Sequence, residues 1–260
     1  MNEKPLHSES MKEAWHEAAE IVGDRHHTRR LVITCEHASG AVPPPLTTTA
    51  SDEAWLKTHW GWDIGAEALT REIVARKNCC AVLSRFSRLV CDANRDPKDE
   101  TFIRQDIMGE PLSFNQNIDQ AELQRRIDTY HRPYHDLLDA CLEERISRGG
   151  DVVLFSIHSF TPVFRGKKRD MEMGILFDSH DPVAERFAGH LRNVGFKTAL
   201  NAPYSGKDGM MYAMTLHGQR HNVVYLELEV RQDLISEQAD VVDVAERLCD
   251  ALTALQVRTS

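Results

Sequence analysis

Four short polar clusters in the sequence each follow directly on an apolar stretch of the kind that forms a buried strand. They are Cys35-Glu36-His37, Asp92-Ala93-Asn94-Arg95, Ile157-His158-Ser159 and Glu227-Leu228-Glu229-Val230-Arg231. In open α/β sheets, ligands bind in the crevice outside the carboxyl ends of the strands. We therefore expect these four segments, which are far apart in the chain, to converge on one cleft.

Two histidines in these clusters are the first candidates for metal ligands. Neutral histidine is the commonest metal ligand in proteins, and His37 and His158 each follow an apolar strand directly. A catalytic zinc site uses three protein ligands and keeps one position open for water. Glu36 and Asp63 are the carboxylates available as the third ligand. Neighbouring residues of an extended chain point to opposite faces, so Glu36 is poorly placed to share an ion with His37. We prefer Asp63, for which helix capping is the alternative role.

A second carboxylate is needed as the general base that moves a proton from water to the leaving amine. Glu229 fits this role, because it ends a buried strand, where a charge is costly without a function or a partner. The alternative is a structural ion pair between Glu229 and Arg231, since alternate residues of a strand share a face.

Arginines near the same strand ends are candidates for binding an acidic substrate. Arginine holds a carboxylate through two parallel hydrogen bonds, and Arg88 and Arg95 flank the segment that carries Cys91. Asn94 is a further candidate, either for the substrate carboxylate or for a backbone group, and Arg231 is counted with them. A surface position is the alternative for Arg88 and is less persuasive for Arg95.

A histidine pair, His131 and His135, has the i,i+4 spacing of metal ligands on a helix. The glutamate of an HExxH motif is absent, however, and Pro133 lies between the two histidines. We expect them to support the site or to belong to a substrate loop, rather than to bind the metal.

These residues depend on a framework of alternating strands and helices. Strands are predicted at 31–35, 80–84, 88–91, 151–157, 173–177, 196–200 and 223–229. Helices are predicted at 11–21, from 63, at 119–148 with a break at Pro133, from about 181, and at 236–255. Such alternation indicates an α/β fold with a mostly parallel sheet covered on both sides. The uninterrupted apolar strands 31–35, 151–157 and 223–229 should occupy its middle.

The length and composition favour one globular domain. With 260 residues, 42% of them hydrophobic, the chain can bury one large core. Residues 1–28 are interpreted as a leader containing the short helix, and residues 29–260 as a single catalytic α/β domain. The net charge of −9 disfavours nucleic-acid and membrane binding, and basic clusters such as 165–169 are interpreted as solvated surface.

Targeting features are absent from the sequence. No apolar stretch is long enough to cross a bilayer, and residues 1–24 lack the pattern of a secretory signal. The six cysteines form no CxxC pair and are interpreted as buried thiols of a reducing compartment. We therefore expect a cytoplasmic protein, and the sequence leaves its oligomeric state open.

Taken in order, the polar segments resemble the N-formylglutamate amidohydrolase family from about residue 31 to residue 234. The matching pieces are Cys35-Glu36-His37-Ala38-Ser39-Gly40 with its proline-rich loop, Trp62-Asp63-Ile64-Gly65-Ala66, Ser87-Arg88-Leu89-Val90-Cys91-Asp92-Ala93-Asn94-Arg95, Arg132-Pro133-Tyr134-His135, Ser156-Ile157-His158-Ser159 and Glu229-Val230-Arg231-Gln232-Asp233. The last two pieces are also similar to segments of zinc carboxypeptidases that supply a metal-binding histidine and the general-base glutamate. The Asp-x-Asn-Arg piece resembles the segment of aspartoacylases that binds the substrate carboxylate.

The resemblance implies a three-layer α/β/α sandwich of the phosphorylase/hydrolase-like, zinc-peptidase-like kind, with a central mixed, mostly parallel sheet. It implies that His37 and His158 bind the metal, that Glu229 is the base and that Arg95 anchors the substrate. Carboxypeptidases take their first histidine and their glutamate ligand from His-x-x-Glu, whereas Gly40 stands three residues after His37 here. Asp63 is therefore an inference from the residues and not a motif match.

The predicted function is the metal-dependent hydrolysis of the amide bond of a small acidic N-acyl amino acid. The preferred reaction converts N-formyl-L-glutamate to L-glutamate and formate, with one zinc ion as cofactor. A zinc carboxypeptidase or peptide amidase is one alternative, and a non-catalytic acid-binding protein is another. The sequence leaves open the acyl group, the amino acid and the identity of the metal.

Overall fold

The computed structural model describes residues 17–27 and 29–255, in which strands and helices alternate. The strands of the main sheet are β1 (Ala19–Gly23), β2 (Leu31–Cys35), β3 (Cys80–Ser84), β6 (Val153–Phe160), β9 (Met173–Leu176), β10 (Thr198–Leu200) and β11 (Val224–Arg231). Two small hairpins pair β4 (Asp106–Ile107) with β5 (Glu110–Pro111) and β7 (Val163–Phe164) with β8 (Lys167–Lys168). The helices are α1 (Ala50–Leu56), α2 (Ala66–Lys77), α3 (Gln120–Arg126), α4 (Arg132–Ser147), α5 (Asp181–Asn193), α6 (Tyr212–His221) and α7 (Gln238–Leu252).

The main sheet has the strand order β1-β3-β2-β6-β11-β9-β10. Strands β3, β2, β6 and β11 are parallel to one another, whereas β1 is antiparallel to β3 and β9 is antiparallel to β11. The sheet is therefore mixed and mostly parallel. The three continuous apolar strands predicted for its middle are β2, β6 and β11, and they lie there.

Helices cover both faces of the sheet and complete the predicted α/β/α sandwich. On one face, Ile33, Phe155 and Leu228 pack in a core with α2, α5 and α7. Phe155 meets Phe187 of α5 edge-to-face, with ring centroids 5.5 Å apart. The opposite face packs Val32, Leu154 and Tyr225, among others, against α4 and α6. None of the described helices is both long and apolar enough to cross a membrane.

The face toward α4 and α6 changes character along the three central strands. Side chains alternate between the two faces of a strand, so positions two apart share this face. Each strand contributes an apolar residue first and polar residues afterwards. The series are Val32, Thr34 and then Glu36 after β2, Leu154, Ser156 and His158 on β6, and Tyr225, Glu227 and Glu229 on β11. Because these strands are parallel, their polar ends meet at one edge of the sheet.

The predicted N-terminal helix at 11–21 is wrong from residue 19 onwards, although residues 17–18 are helical. Residues 19–21 belong to β1, which pairs with the whole of β3 from Ala19 opposite Ser84 to Gly23 opposite Cys80. The β-branched pair Ile21-Val22 suits a pleated strand, and the open edge of β3 gives its backbone hydrogen-bond partners. Residues 11–16 of that prediction lie outside the described part of the chain.

The predicted strand at 88–91 is also wrong, because this segment forms a turn. The hydroxyl of Ser87 accepts a hydrogen bond from the Leu89 N–H at 3.1 Å, and the Ser87 carbonyl accepts one from the Val90 N–H at 2.9 Å. Such local bonds compete with a strand ladder for the same backbone groups. The turn places Arg88 at the edge of the sheet.

The long predicted helix at 119–148 is continuous, but it contains a π-helical turn over Ile127–His131 between α3 and α4. The turn directly precedes Pro133, which has no N–H to donate to the carbonyl one turn earlier. Arg126, just before the wide turn, is fully buried and donates a hydrogen bond from Nη1 to the Val90 carbonyl at 2.7 Å.

Candidate active site

His37, Asp63 and His158 lie together in one buried group. His37 follows β2, Asp63 precedes α2, and His158 lies near the end of β6. Each residue offers one ligand atom, and these atoms lie within 4.8 Å of one another. Asp63 Oδ2 is 2.8 Å from His158 Nδ1 and 3.4 Å from His37 Nδ1. Two imidazoles and a carboxylate in this arrangement can hold a metal ion.

Backbone contacts hold Asp63 in this place. Its N–H donates to the His37 carbonyl at 2.9 Å, and its Oδ2 accepts from the Ser159 N–H at 3.2 Å. The N-cap of α2 is Gly65, whose φ of 83° suits glycine and which makes no side-chain capping bond. The carboxylate of Asp63 is therefore turned toward the histidines rather than toward the helix end.

A separate carboxylate holds the second nitrogen of each histidine. His37 Nε2 lies 2.6 Å from Asp92 Oδ1, and His158 Nε2 lies 3.0 Å from Glu36 Oε2. When the neutral ring donates from Nε2, Nδ1 keeps its lone pair. Carboxylates commonly orient metal-binding histidines in this way. His37 Nδ1 has no hydrogen-bond partner among the described residues, as expected of an atom positioned for a metal ion.

Glu36 remains a charged carboxylate in spite of its burial. The Tyr134 hydroxyl donates to Glu36 Oε1 at 2.9 Å, and the Ser156 hydroxyl donates to Oε2. Burial raises the pKa of Glu36, but the hydrogen bonds from His158 and Ser156 outweigh it and bring the pKa to about 2. Glu36 thus binds the ring of His158, which leaves Asp63 as the carboxylate between the two histidines.

The surroundings of His158 are rich in negative charge. Burial disfavours a charged imidazole, but Glu227, Glu36 and Glu229 outweigh this and raise the pKa of His158 to about 10. Glu227 Oε2 lies 3.6 Å from His158 Nε2. So many buried carboxylates require a compensating positive charge, which either a proton or a metal cation supplies.

Glu229 lies beside this group in the sheet. Its Cα is in register with His158 on β6 and with Gly174 on β9. The side chain is buried, and its Oε2 has no hydrogen-bond partner among the described residues. Burial raises the pKa of Glu229 to about 7, with His158 opposing the shift and Glu227 adding to it. A carboxylate with a pKa near neutrality can both take and return a proton at physiological pH.

Comparison with known proteins identifies the family. Residues 29–236 match the family model described as N-formylglutamate amidohydrolase. The chain belongs to that family. A solved gene product of Agrobacterium tumefaciens is 29% identical, with a TM-score of 0.83, and the match covers 94% of this chain and 98% of that one. An N-formylglutamate amidohydrolase of Ralstonia eutropha JMP134 shares the fold at 21% identity, with a TM-score of 0.70 and coverage of 92% and 96%. No curated protein matches the chain.

The guanidinium of Arg88 places a positive charge next to the His37 group. Its guanidinium Nη2 contacts Asp63 Oδ1, and its Nε has no hydrogen-bond partner among the described residues. Burial lowers the pKa of Arg88, and the charges of Asp92 and Glu229 oppose that shift. A guanidinium nitrogen free to donate inside a buried pocket is suited to an anionic group of a substrate.

Arg95 is half-buried at the rim of the same region. It donates to the Asn94 carbonyl at 3.1 Å and lies 3.9 Å from Met210 Sδ, and its charge helps to lower the pKa of Asp92. Neither contact neutralises a guanidinium, so this cation also retains the capacity to pair with a carboxylate.

Two predicted substrate-binding residues are engaged within the protein. Asn94 donates to Glu227 Oε2 at 3.2 Å and accepts from the Ala213 N–H at 2.9 Å, so both ends of its amide are used. Arg231 donates to Asp233 at 2.7 Å and to the carbonyls of residues 169–171. A direct role for either residue in binding substrate stays a prediction.

His131 and His135 lie outside the His37 group and contact the segment that carries Arg95. His131 Nε2 is 3.1 Å from the Arg95 carbonyl, and His135 Nε2 is 3.1 Å from the Ala93 carbonyl. The two ring nitrogens are themselves 3.1 Å apart. Both histidines thus contact this segment from the helix, and their part in the site stays a prediction.

Several residues of the amidohydrolase site were not assigned a role by sequence. Asp92 holds His37, and Glu227 adds charge beside His158. Arg169 is half-buried, stacks within 5.2 Å of Phe160, and lowers the pKa of Glu229, whereas the sequence placed residues 165–169 on a solvated surface. For Glu227 the sequence does contain a signal, because Glu227 and Glu229 are two residues apart and therefore lie on one face of β11.

Proposed function

We propose that this amidohydrolase converts N-formyl-L-glutamate to L-glutamate and formate, with one zinc ion held by His37, Asp63 and His158. The observation that carries the proposal is the convergence of these three ligand atoms within 4.8 Å beside Glu229, whose buried Oε2 has no hydrogen-bond partner among the described residues. Membership of the N-formylglutamate amidohydrolase family supports the choice of substrate.

The residues fit a zinc ion on chemical grounds. Two neutral imidazoles and one carboxylate are typical donors for catalytic zinc, and both imidazoles are oriented by further carboxylates. His37 Nδ1 is a buried acceptor without a partner among the described residues. When bound there, a divalent ion supplies Lewis acidity toward the amide carbonyl and toward water.

The role of Glu229 follows from its position and its pKa of about 7. In its ionised form it accepts a proton from the attacking water as the oxygen adds to the formyl carbon. It then gives this proton to the glutamate nitrogen as the C–N bond breaks. One water is consumed, and the products are formate and the free amino acid.

Binding of the acidic amino acid is assigned to Arg88 and Arg95. N-formylglutamate carries two carboxylates, and these two arginines are the cations that flank Asp92 in the site. Arg169, which is close enough to lower the pKa of Glu229, adds a third positive charge. Such a pocket should select against N-acyl amino acids with neutral side chains.

A substrate panel tests the proposal directly. Metal-free protein is assayed with formyl-, acetyl- and succinyl-amino acids and with short peptides, before and after zinc is added. Hydrolysis of N-formylglutamate that depends on zinc is expected, and preferred turnover of peptides would instead indicate a carboxypeptidase or peptide amidase.

Two variants separate the chemistry from ion binding. His158→Ala should lose the zinc of the His37 group together with its activity, whereas Glu229→Gln should keep that zinc and lose most of its turnover. Zinc content is measured on both variants after dialysis. If wild-type protein binds N-formylglutamate but hydrolyses no compound of the panel with any divalent ion, the chain is an acid-binding protein and the proposal is wrong.

A further inference from the structure

A second group of metal-binding residue types lies between α4 and α6, apart from the His37 group. Its members are Asp139 of α4 and His217 and His221 of α6, and their ligand atoms lie within 4.8 Å of one another. The two histidines have the i,i+4 spacing that puts both rings on one face of a helix. None of the three has a role in the chemistry described above.

The ligand atoms of the two histidines converge on one oxygen of Asp139. His217 Nδ1 and His221 Nε2 both lie 2.7 Å from the same atom, Asp139 Oδ1. His217 is fully buried, whereas the side chains of His221 and Asp139 retain 10% and 17% of their exposure. A ligand bound by these atoms would be held on its inner side by protein and would face solvent on its outer side.

The atoms of Asp139 and His217 that point away from the other ligands have hydrogen-bonding or ionic partners of their own. Asp139 Oδ2 pairs with the guanidinium of Arg220, which leaves Oδ1 free to face the histidines. His217 Nε2 lies 2.7 Å from His135 Nδ1, so the orientation of its ring is fixed. Partners of this kind orient metal-ligating carboxylates and histidines in many sites.

The ring of His135 connects His217 to the backbone, since its Nδ1 is 2.7 Å from His217 Nε2 and its Nε2 is 3.1 Å from the Ala93 carbonyl. When His135 donates from Nε2, a neutral His217 donates from Nε2 and keeps a lone pair on Nδ1, which is the form of the ring that binds a metal ion.

We propose that Asp139, His217 and His221 form a second site for a divalent transition metal, of which zinc suits two imidazoles and one carboxylate best. The proposal does not rest on the function assigned to the His37 group. Tetrahedral ligands about 2.05 Å from zinc stand about 3.3 Å apart, so the carboxylate withdraws by about 0.6 Å from its present contacts. Water from the exposed side completes the coordination.

A metal ion at this site would link α4 to α6, and His135 would connect it to the segment that carries Arg95. Asp139 is carried by α4 and both histidines by α6, so the ion fixes the distance between these helices. His217 contacts His135, and His135 contacts the carbonyl of Ala93, which precedes Asn94 and Arg95 in the chain. Occupancy of the site should therefore stabilise the packing of α4 on α6 and the segment that carries Arg95.

Metal stoichiometry tests the proposal with full-length protein. Metal-free wild type, His221→Ala, His158→Ala and the double variant are titrated with zinc by calorimetry and by equilibrium dialysis. We expect the wild type to bind two equivalents of zinc, each single variant to bind one, and the double variant to bind none. If the His37 group binds no metal, the wild type and His158→Ala each bind one equivalent and His221→Ala binds none, so the two proposals fail separately. His190→Ala, an exposed histidine of α5, is the matched control and should bind as the wild type does.

Thermal unfolding provides a second measurement. Zinc should raise the Tm of His158→Ala protein, and Asp139→Asn in that background should abolish the increase while keeping the size of the side chain. Asp139→Asn also replaces His221→Ala in the titrations if the latter does not fold. If neither variant lowers the number of zinc or cobalt ions bound, the group carries a proton instead and the proposal is refuted.

Discussion

The buried carboxylate of Glu229 should reduce the stability of the protein whenever it is ionised. Its Oε2 has no partner among the described residues, and its pKa of about 7 lies well above the ordinary value of 4.5. Glu229→Gln keeps the shape of the side chain and removes the charge. The variant should therefore be more stable than the wild type at alkaline pH, even though it loses the proposed catalytic base.

The size of the effect follows from proton linkage. A folded-state pKa above the unfolded value means that the folded protein binds the proton more tightly. The resulting stability is fully present below pH 4.5 and is lost as the pH rises through 7. Between pH 5 and pH 8, the wild type should lose about 2.5 kcal/mol relative to Glu229→Gln, because glutamine does not titrate.

Urea denaturation of metal-free wild type and Glu229→Gln at pH 5, 6, 7 and 8 measures this difference. Turnover of N-formylglutamate by the zinc-loaded variant should fall about 10²- to 10⁴-fold, the usual contribution of a general base. The control is Glu237→Gln, which makes the same substitution at an exposed position. A difference in unfolding free energy between wild type and Glu229→Gln that stays constant with pH would refute the reasoning.

Three further changes test other parts of the structure. Asp92→Asn removes the carboxylate that orients His37 and should weaken zinc binding about 10- to 100-fold in equilibrium dialysis, with the fold retained. Arg95→Ala should raise KM for acidic substrates about 30- to 150-fold, which corresponds to about 2–3 kcal/mol, without loss of zinc; loss of zinc would make Arg95 structural. Gly174→Ala should lower the unfolding free energy by more than about 2 kcal/mol, because the new Cβ would overlap the backbone carbonyl oxygen of Ala202. Gly189→Ala in α5 is the control: its Cβ would meet open space, and the unfolding free energy should rise by up to about 1 kcal/mol. Both effects are measured by urea denaturation.

The central part of the site was predictable because it depends on local sequence patterns. Continuous apolar runs identify the strands buried on both faces, and a polar residue at the end of such a run must lie at the edge of the sheet. This reasoning places His37, His158 and Glu229 at one edge without any knowledge of the tertiary contacts. Asp63 required one more step, from the directions in which neighbouring side chains point.

The remaining roles depend on partners that are distant in sequence. Glu36 and Asp92 each orient a histidine, but no spacing in the sequence tells which carboxylate faces which ring. Edge strand β1 was assigned to a helix, because an open sheet edge is a tertiary feature that local preference does not contain. Arg169 was interpreted as solvated, because its contact with the ring of Phe160 is a tertiary feature that the run of basic residues at 165–169 does not indicate.

The π-helical turn at Ile127–His131 determines the directions in which Arg126 and His131 face. In a regular α-helix, residues five apart differ in direction by about 140° around the axis, and the extra residue of a π turn reduces this to about 40°. Arg126 and His131, five residues apart, can therefore both reach back to one segment, at the carbonyls of Val90 and Arg95. A regular α-helix with the same number of residues would place these two side chains about 140° apart, and one of them would then lose its carbonyl. The wide turn therefore allows one helix to hold the segment that carries Arg95 at two points.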